Sequence, residues 1–352
     1  PDISVPTCVT NTGSLGMGIS KAKGLLYAKN RFGQNGRVFV MTGDGELQEG
    51  QIWESLVSAA NQKLGNLVMI VDHNKLQSDT FVEKTSDLGD LEAKFSSFGW
   101  HVERCDGNDV TALKGVFRKF RSIVDRPKVL IADTVKGFGV SFMEHTSLDS
   151  DVAMYKFHSG APGQDVYYEA VIELKKQLDA LTAKSEIESI VFENIIAPKF
   201  EKGPDKVERM VAAYSEALVE QAEHNDSLIA LDADLILDTG LIDFKKQFPD
   251  RFVECGIAEQ DMVSQAGGMA LGGLLPVVHS FGCFLSARPN EQIYNNATEH
   301  TKIVYVGSLA GVTPGGPGHS HQAVRDISSL AAIPNLEVVE PCCEAEVPIV
   351  LD

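Results

Sequence analysis

The chain has 352 residues, a formal net charge of −18 at pH 7 and a mean hydropathy near zero, which suits two soluble domains with ample core. The acidic balance argues against nucleic acid or an anionic membrane as partner, no apolar run reaches membrane-spanning length, and no signal peptide is visible. The six cysteines (Cys8, Cys105, Cys255, Cys283, Cys342 and Cys343) lack metal-ligand spacing, so free thiols in a reducing cytoplasm are expected.

In chain order, Asn11-Thr12-Gly13-Ser14-Leu15-Gly16-Met17-Gly18 leads into a helix, where small residues and a helix N-terminus suit an anion. The apolar run Val38–Met41 reads as a buried strand ending in Thr42-Gly43-Asp44-Gly45. A helix with Ile52, Leu56 and Ala59 or Ala60 on one face should follow, then a second strand, Leu67–Val71, ending in Asp72-His73-Asn74. Helices are expected over Asp90–Phe98 and Asp109–Ser122, each opened by an aspartate. Strands are expected over Trp100–Arg104 and Lys128–Thr134, before the Lys136-Gly137-Phe138-Gly139 turn. The loop Phe157-His158-Ser159-Gly160-Ala161-Pro162 comes next, then a charged helix and a Pro/Lys-rich linker. The first domain is placed at residues 1–196, the linker to about 206, and the second domain at 207–352.

The second domain should open with a helix, Val207–His224, and a strand, Leu228–Leu231, that ends in Asp232-Ala233-Asp234. Phe252–Cys255 reads as a strand that passes through Gly256 into a helix with Glu259 in its first turn, where a carboxylate is favoured. His279 to Leu285 follows a strand. Lys302–Gly307 is a further strand, before the Gly315-Gly316-Pro317-Gly318-His319-Ser320-His321-Gln322 loop and a helix with Val324, Ile327 and Leu330. Leu336–Val339 reads as a last strand. The alternation of strands and helices implies α/β architecture with two doubly wound parallel sheets.

Asp44 and Asn74 should therefore both lie just past the C-terminal ends of parallel strands, where open α/β sheets bind ligands. A carboxylate, an amide carbonyl and a backbone oxygen, that of Leu76, are the hard donors that Mg2+ takes alongside phosphate oxygens. Ca2+ or Mn2+ would suit the same donors. The bland reading is a glycine turn and a polar strand end; the strand-helix-strand unit between the two residues favours the metal diphosphate site.

The stretch GDGELQEG…NLVMIVDHNKL resembles the thiamine-diphosphate motif of the transketolase family, and the resemblance runs over nearly the whole chain. It implies thiamine diphosphate and Mg2+ as cofactors and two domains of the thiamine-diphosphate-binding type. It also implies transfer of a two-carbon ketol unit from a ketose to an aldehyde. By this resemblance Gly13, Leu15, Gly43, Asp44, Gly45, Asn74, Leu76, His158, Asp234, Glu259 and Phe284 contact the cofactor, with Asp44, Asn74 and Leu76 on the metal. Glu259 would bond the aminopyrimidine ring and Phe284 would pack against it. His321, with His319 or His158, would move hydroxyl protons, as suits imidazoles near neutral pH. Arg288 and Asp238 would face the substrate. A cytoplasmic homodimer acting on sugars is implied, each site lying between the first domain of one copy and the second domain of the other. Glu49 matches the family's interface glutamate, against the alternative of an ordinary helix carboxylate.

The chain also departs from the family. Both ends look incomplete, as if it were a fragment or were completed by other chains. Residues that bind the acceptor's phosphate fall on Ala212, Asp238 and Leu309, and the family's aspartate before His-Gln falls near Pro317. An aspartate facing a phosphate repels it, so the expected acceptor is unphosphorylated or carries an amine. Competing readings are a pyruvate-decarboxylating relative of the deoxyxylulose-phosphate synthase type, favoured by Gly256-Ile257-Ala258-Glu259-Gln260, and a catalytically silent paralogue. A generic nucleotide-binding protein is disfavoured because no phosphate-loop lysine or dinucleotide fingerprint is present.

Overall fold

The computed structural model describes residues 8–10, 13–147, 154–158, 161–185, 210–312 and 317–352. They form two four-stranded sheets, and every strand pair in them is parallel. The first half runs α1 (Gly18–Arg31), β1 (Val38–Gly43), α2 (Gly50–Asn61), β2 (Leu67–His73), α3 (Val82–Thr85), α4 (Leu91–Ser97), β3 (His101–Asp106), α5 (Val110–Phe120), β4 (Lys128–Asp133) and α6 (Gln164–Ser185). The second runs α7 (Met210–His224), β5 (Leu228–Asp232), α8 (Ile242–Gln247), β6 (Phe252–Glu254), α9 (Glu259–Leu271) and β7 (Leu275–Phe281). It continues through α10 (Gly282–Leu285), α11 (Asn290–Thr298), β8 (Val304–Ser308), α12 (Asp326–Leu330) and α13 (Glu346–Leu351). Among the described residues no helix is long and apolar enough to cross a membrane.

The local physics behind these elements is direct. Asp90 and Asp109 cap α4 and α5, accepting from Ala93 N (3.0 Å) and Thr111 N (2.7 Å), which satisfies amides that a helix start leaves unpaired. On α2, Ile52, Leu56 and Ala59 are fully buried at helical spacing, packed with Leu67, Met69, Phe95 and Trp100 in the first core. The second half has its own core around Leu231, Val263, Val278 and Ile293.

The first sheet has the order β1-β2-β4-β3 and the second β6-β5-β7-β8. Gly43 pairs with Asp72, and Asp72 with Ala132, so the loops carrying Asp44, Asn74 and Lys136 leave one edge of the first sheet together. β1 is an edge strand of that sheet, and Phe39 and Met41 on it are exposed. The loops at the corresponding edge of the second sheet meet them. Ser78 N donates to Asp234 Oδ2 (3.4 Å) and Ile257 N to Gln48 Oε1 (2.7 Å).

Three expectations are corrected. Val324, expected in a helix with Ile327 and Leu330, lies exposed in the turn before α12. Residues 336–339 form no strand; Leu336 packs on the second core, but Val338 and Val339 are exposed and add no rung beyond β8. The strand expected at Lys302–Gly307 sits at Val304–Ser308, in register with β7. The linker placed between residues 197 and 206 lies outside the described residues, as do Ser159, Gly160, Gly315 and Gly316.

Candidate active site

At the first sheet's edge the chain turns sharply around Asp44, which is buried. Its Oδ1 accepts from Gly45 N (2.8 Å) and its Oδ2 from Lys75 N (2.5 Å). Asn74 Oδ1 accepts from Leu76 N (3.1 Å). Lys75 between them has φ +68, a left-handed conformation unusual for a residue with a Cβ. Burial raises the Asp44 carboxyl above its ordinary range, against the two amides that lower it. A cation would offset that desolvation. Among the described residues no group of three or more His, Cys, Asp or Glu gathers as a metal site. A carboxylate and an amide oxygen are hard donors of the kind Mg2+ takes alongside phosphate oxygens.

A cleft of about 630 Å³ opens beside this turn, lined by Asp72, Asn74, Asn108, Thr134, Lys136 and His158 among others. Lys136 Nζ donates to Gln77 O (3.0 Å) and to His158 Nδ1 (2.8 Å). Burial depresses the lysine, while Asp44, Asp72, Asp234 and Asp79 raise it. His158 is pushed down to about 4 by burial and by Lys136, so it is neutral at pH 7. An ammonium group is a charge-assisted donor of the kind that phosphate oxygens accept from.

The opposite wall belongs to the second half. Glu259 is buried at the start of α9 and accepts from Arg288 Nη1 at 2.6 Å. The same nitrogen lies 2.9 Å from Glu49 Oε1, although that oxygen and Arg288 Nη2 make no hydrogen bond of good geometry. Burial pushes Glu49 up to about 7; Arg288 lowers it, and Glu259 and Glu46 raise it. Burial works against the Arg288 charge, but Glu259 and Glu49 outweigh it and hold the guanidinium above its ordinary value. The guanidinium carbon lies 4.0 Å from the Phe284 ring centroid, and Phe284 meets His321 edge-to-face at 5.1 Å. Asp234, buried and at φ +60, is pushed up to about 7 by burial and by Glu254.

The two walls are joined at the glycine-rich loop as well. A Cβ on Gly13 would lie 2.2 Å from Ser320 Oγ, so only glycine permits this approach. Gly16 N donates to Glu46 Oε1 (2.8 Å), which ties the loop to the turn after β1.

Residues 1–226 match the family model described as transketolase, thiamine diphosphate binding domain, and residues 208–351 match the transketolase pyrimidine binding domain. The chain belongs to the transketolase family. It is 36% identical to mouse transketolase-like protein 2 over 336 residues, covering 94% of this chain and 53% of that protein. Against human transketolase it is 34% identical over 334 residues, covering 94% and 52%. The chain thus spans about half the length of these curated relatives. Transketolase from Campylobacter jejuni subsp. jejuni is a solved structure with 20% identity and a TM-score of 0.40, over 100% of this chain and 60% of that one.

Within this transketolase-family chain the structure gathers the expected residues into two groups. Asp44, Asn74, Leu76 and His158 lie at the first sheet's edge, and Glu259, Phe284, Arg288 and His321 face them. His319 is exposed at the start of its turn, and His158 belongs with Lys136 rather than with Phe284. The guanidinium of Arg288, expected toward substrate, is engaged with Glu259 and Glu49 instead. Glu49 is the mostly buried partner in that contact, not an exposed helix charge. Glu46, Gln48, Asp79 and Lys136 were not expected in the site. Lys136 carries the signal that marked Asp44 and Asn74: it lies just past a parallel strand's C-terminal end. Asp79 shows no pattern in sequence; it is pushed up to about 6 by burial and by Asp238 from the other half, against Lys136.

Proposed function

We propose that the protein is a thiamine-diphosphate-dependent transferase that moves a two-carbon ketol unit from a ketose donor to an aldehyde acceptor. The observation that carries this reading is the pairing of Asp44 and Asn74 on one wall with Glu259 on the other. Asp44, Asn74 and the Leu76 carbonyl would hold Mg2+, with Lys136 and the amides around Gly43 and Gly45 on the diphosphate. Leu15 and Gly13 would border the thiazolium, Asp234 the middle of the cofactor, and Phe284 and Glu259 the pyrimidine. Bound thiamine diphosphate supplies the electron sink for cleaving a bond beside a carbonyl, which no side chain offers. Glu259, held by the Arg288 guanidinium, would hold a proton on the pyrimidine ring nitrogen. His321, depressed by burial and by Arg288, is neutral at pH 7 and would accept a substrate hydroxyl proton. His319 and His158 would assist that transfer from the outer turn and the diphosphate end.

Asp238, with Asp79 opposite, supports an acceptor that is unphosphorylated or carries an amine. Comparing kcat/KM for ribose 5-phosphate, ribose and an amino sugar tests this; efficient use of ribose 5-phosphate overturns it. A pyruvate-decarboxylating activity is the second reading, favoured by Gly256-Ile257-Ala258-Glu259, and release of CO2 from pyruvate would establish it. Six free thiols support a reducing, cytoplasmic setting. The proposed working form is a homodimer, as the resemblance implies, with the same wall-to-wall contacts available between copies.

The deciding experiment is calorimetric titration of thiamine diphosphate with Mg2+ into the purified chain. Saturable, Mg2+-dependent binding that Asp44→Ala abolishes and Glu259→Ala weakens supports the cofactor assignment. A folded protein that binds no cofactor overturns it.

A further inference from the structure

The loop bearing Asn74 is held from behind by a charged network that spans three strands. Asp133 ends β4 and pairs in register with His73, the last residue of β2. Its Oδ1 accepts from His73 Nδ1 at 2.7 Å and lies 3.6 Å from Lys75 Nζ. Its Oδ2 accepts from Arg104 Nε at 2.7 Å, and Arg104 Nη2 donates to Oδ1 at 2.9 Å. Arg104 stands on β3 and reaches Glu92 Oε2 at 3.4 Å. One carboxylate thus binds the residues on both sides of Asn74 and anchors them to β3.

The backbone between those anchors is strained. Lys75 adopts φ +68, which a residue with a Cβ holds only when its surroundings over-determine it. In that conformation its N–H points at Asp44 Oδ2, and its carbonyl accepts from Val82 N (3.0 Å). Asp44 and Asn74 keep their mutual placement only while Lys75 stays so.

We propose that Asp133 is a positioning residue that preorganises the divalent-cation site: by gripping His73 and Lys75 it holds the left-handed turn that sets Asn74 against Asp44. Such support from outside the ligand shell typically changes metal affinity 10–100-fold. This rests on the cation role proposed above for Asp44 and Asn74.

The test uses Asp133→Asn, which keeps the side chain's shape and removes its charge. Amide hydrogen exchange of residues 73–77 in the cofactor-free protein reads the turn directly. Faster exchange of Lys75 in the variant is expected, with β1 and β2 unchanged. Titrating Mg2+ at fixed thiamine diphosphate should show a requirement raised about tenfold, with normal saturation at high Mg2+. Lys75→Gly, which relieves the left-handed strain, should restore much of that loss in the double variant. Unchanged exchange at residues 73–77 overturns the proposal whatever the cofactor does. A wild-type chain that binds no cofactor, while exchange still responds, counts against the proposed function and leaves the turn's support by Asp133 standing. Unaltered Mg2+ dependence in a variant with loosened exchange overturns the link to cation affinity.

Discussion

Arg288 stands between two carboxylates, Glu49 and Glu259, and burial there sets how Glu49 responds to pH. Glu49 is raised to about 7, mainly by burial, from about 4.5 unfolded. Its protonated form therefore suits the fold: the contribution is complete below about 4.5 and is lost as pH rises through about 7. Glu49→Gln should match wild type at pH 4.5 and exceed it by up to about 3 kcal/mol above pH 8, as urea denaturation across that range would show. Removing the cation has the opposite effect. Arg288→Ala leaves Glu259 and Glu49 buried without a counter-ion, a loss of about 3–5 kcal/mol measurable in the same titration. None of this could be read from the sequence, because Glu49, Glu259 and Arg288 lie on three different elements. Asp44 and Asn74 were legible for a contrary reason: each follows its own strand directly, so local pattern alone positions it.

At the scale of elements, the clearest internal tie in the second half joins α7 to the sheet. Tyr214 and His279 Nε2 are 2.6 Å apart, and His279 Nδ1 is 2.9 Å from Leu231 O, all in the fully buried interior. The carbonyl can only accept, so the ring donates from Nδ1 and receives the tyrosine hydroxyl at Nε2. Tyr214→Phe leaves that nitrogen unpaired, and a loss of about 1–3 kcal/mol in urea denaturation is expected. Burial pushes His279 down to about 4, so its contribution is present above about 6.5 and is lost as pH falls toward 4. Where elements from both halves touch, space is the constraint. Gly13→Ala should weaken thiamine diphosphate binding roughly tenfold through its clash with Ser320, with partial recovery in the double variant with Ser320→Gly, both read by calorimetry. Helices and buried strands were legible from periodicity and from the caps Asp90 and Asp109. Residues 336–339 were not, since an apolar stretch with two valines looks the same whether or not a neighbouring strand offers it hydrogen bonds.

For the whole molecule, the question is which copy supplies which wall. In the structure the walls meet within one chain, through Ser78 with Asp234, Gln48 with Ile257 and Glu49 with Arg288. The proposed homodimer would make the same contacts between copies. Mixing Asp44→Ala chains with Glu259→Ala chains then creates sites with both residues intact, and a class of sites with wild-type cofactor affinity should appear in the mixture. A mixture that binds no tighter than Glu259→Ala alone assigns both walls to a single chain. A different consequence follows from β1. Among the described residues no strand pairs with its outer side, beside the exposed Phe39 and Met41, the kind of border on which another strand can template. The surplus of carboxylates keeps neighbouring molecules apart at neutral pH. Acidification withdraws that repulsion while the sticky border persists, so colloidal stability should fail in mild acid well before the fold does, first visible as turbidity.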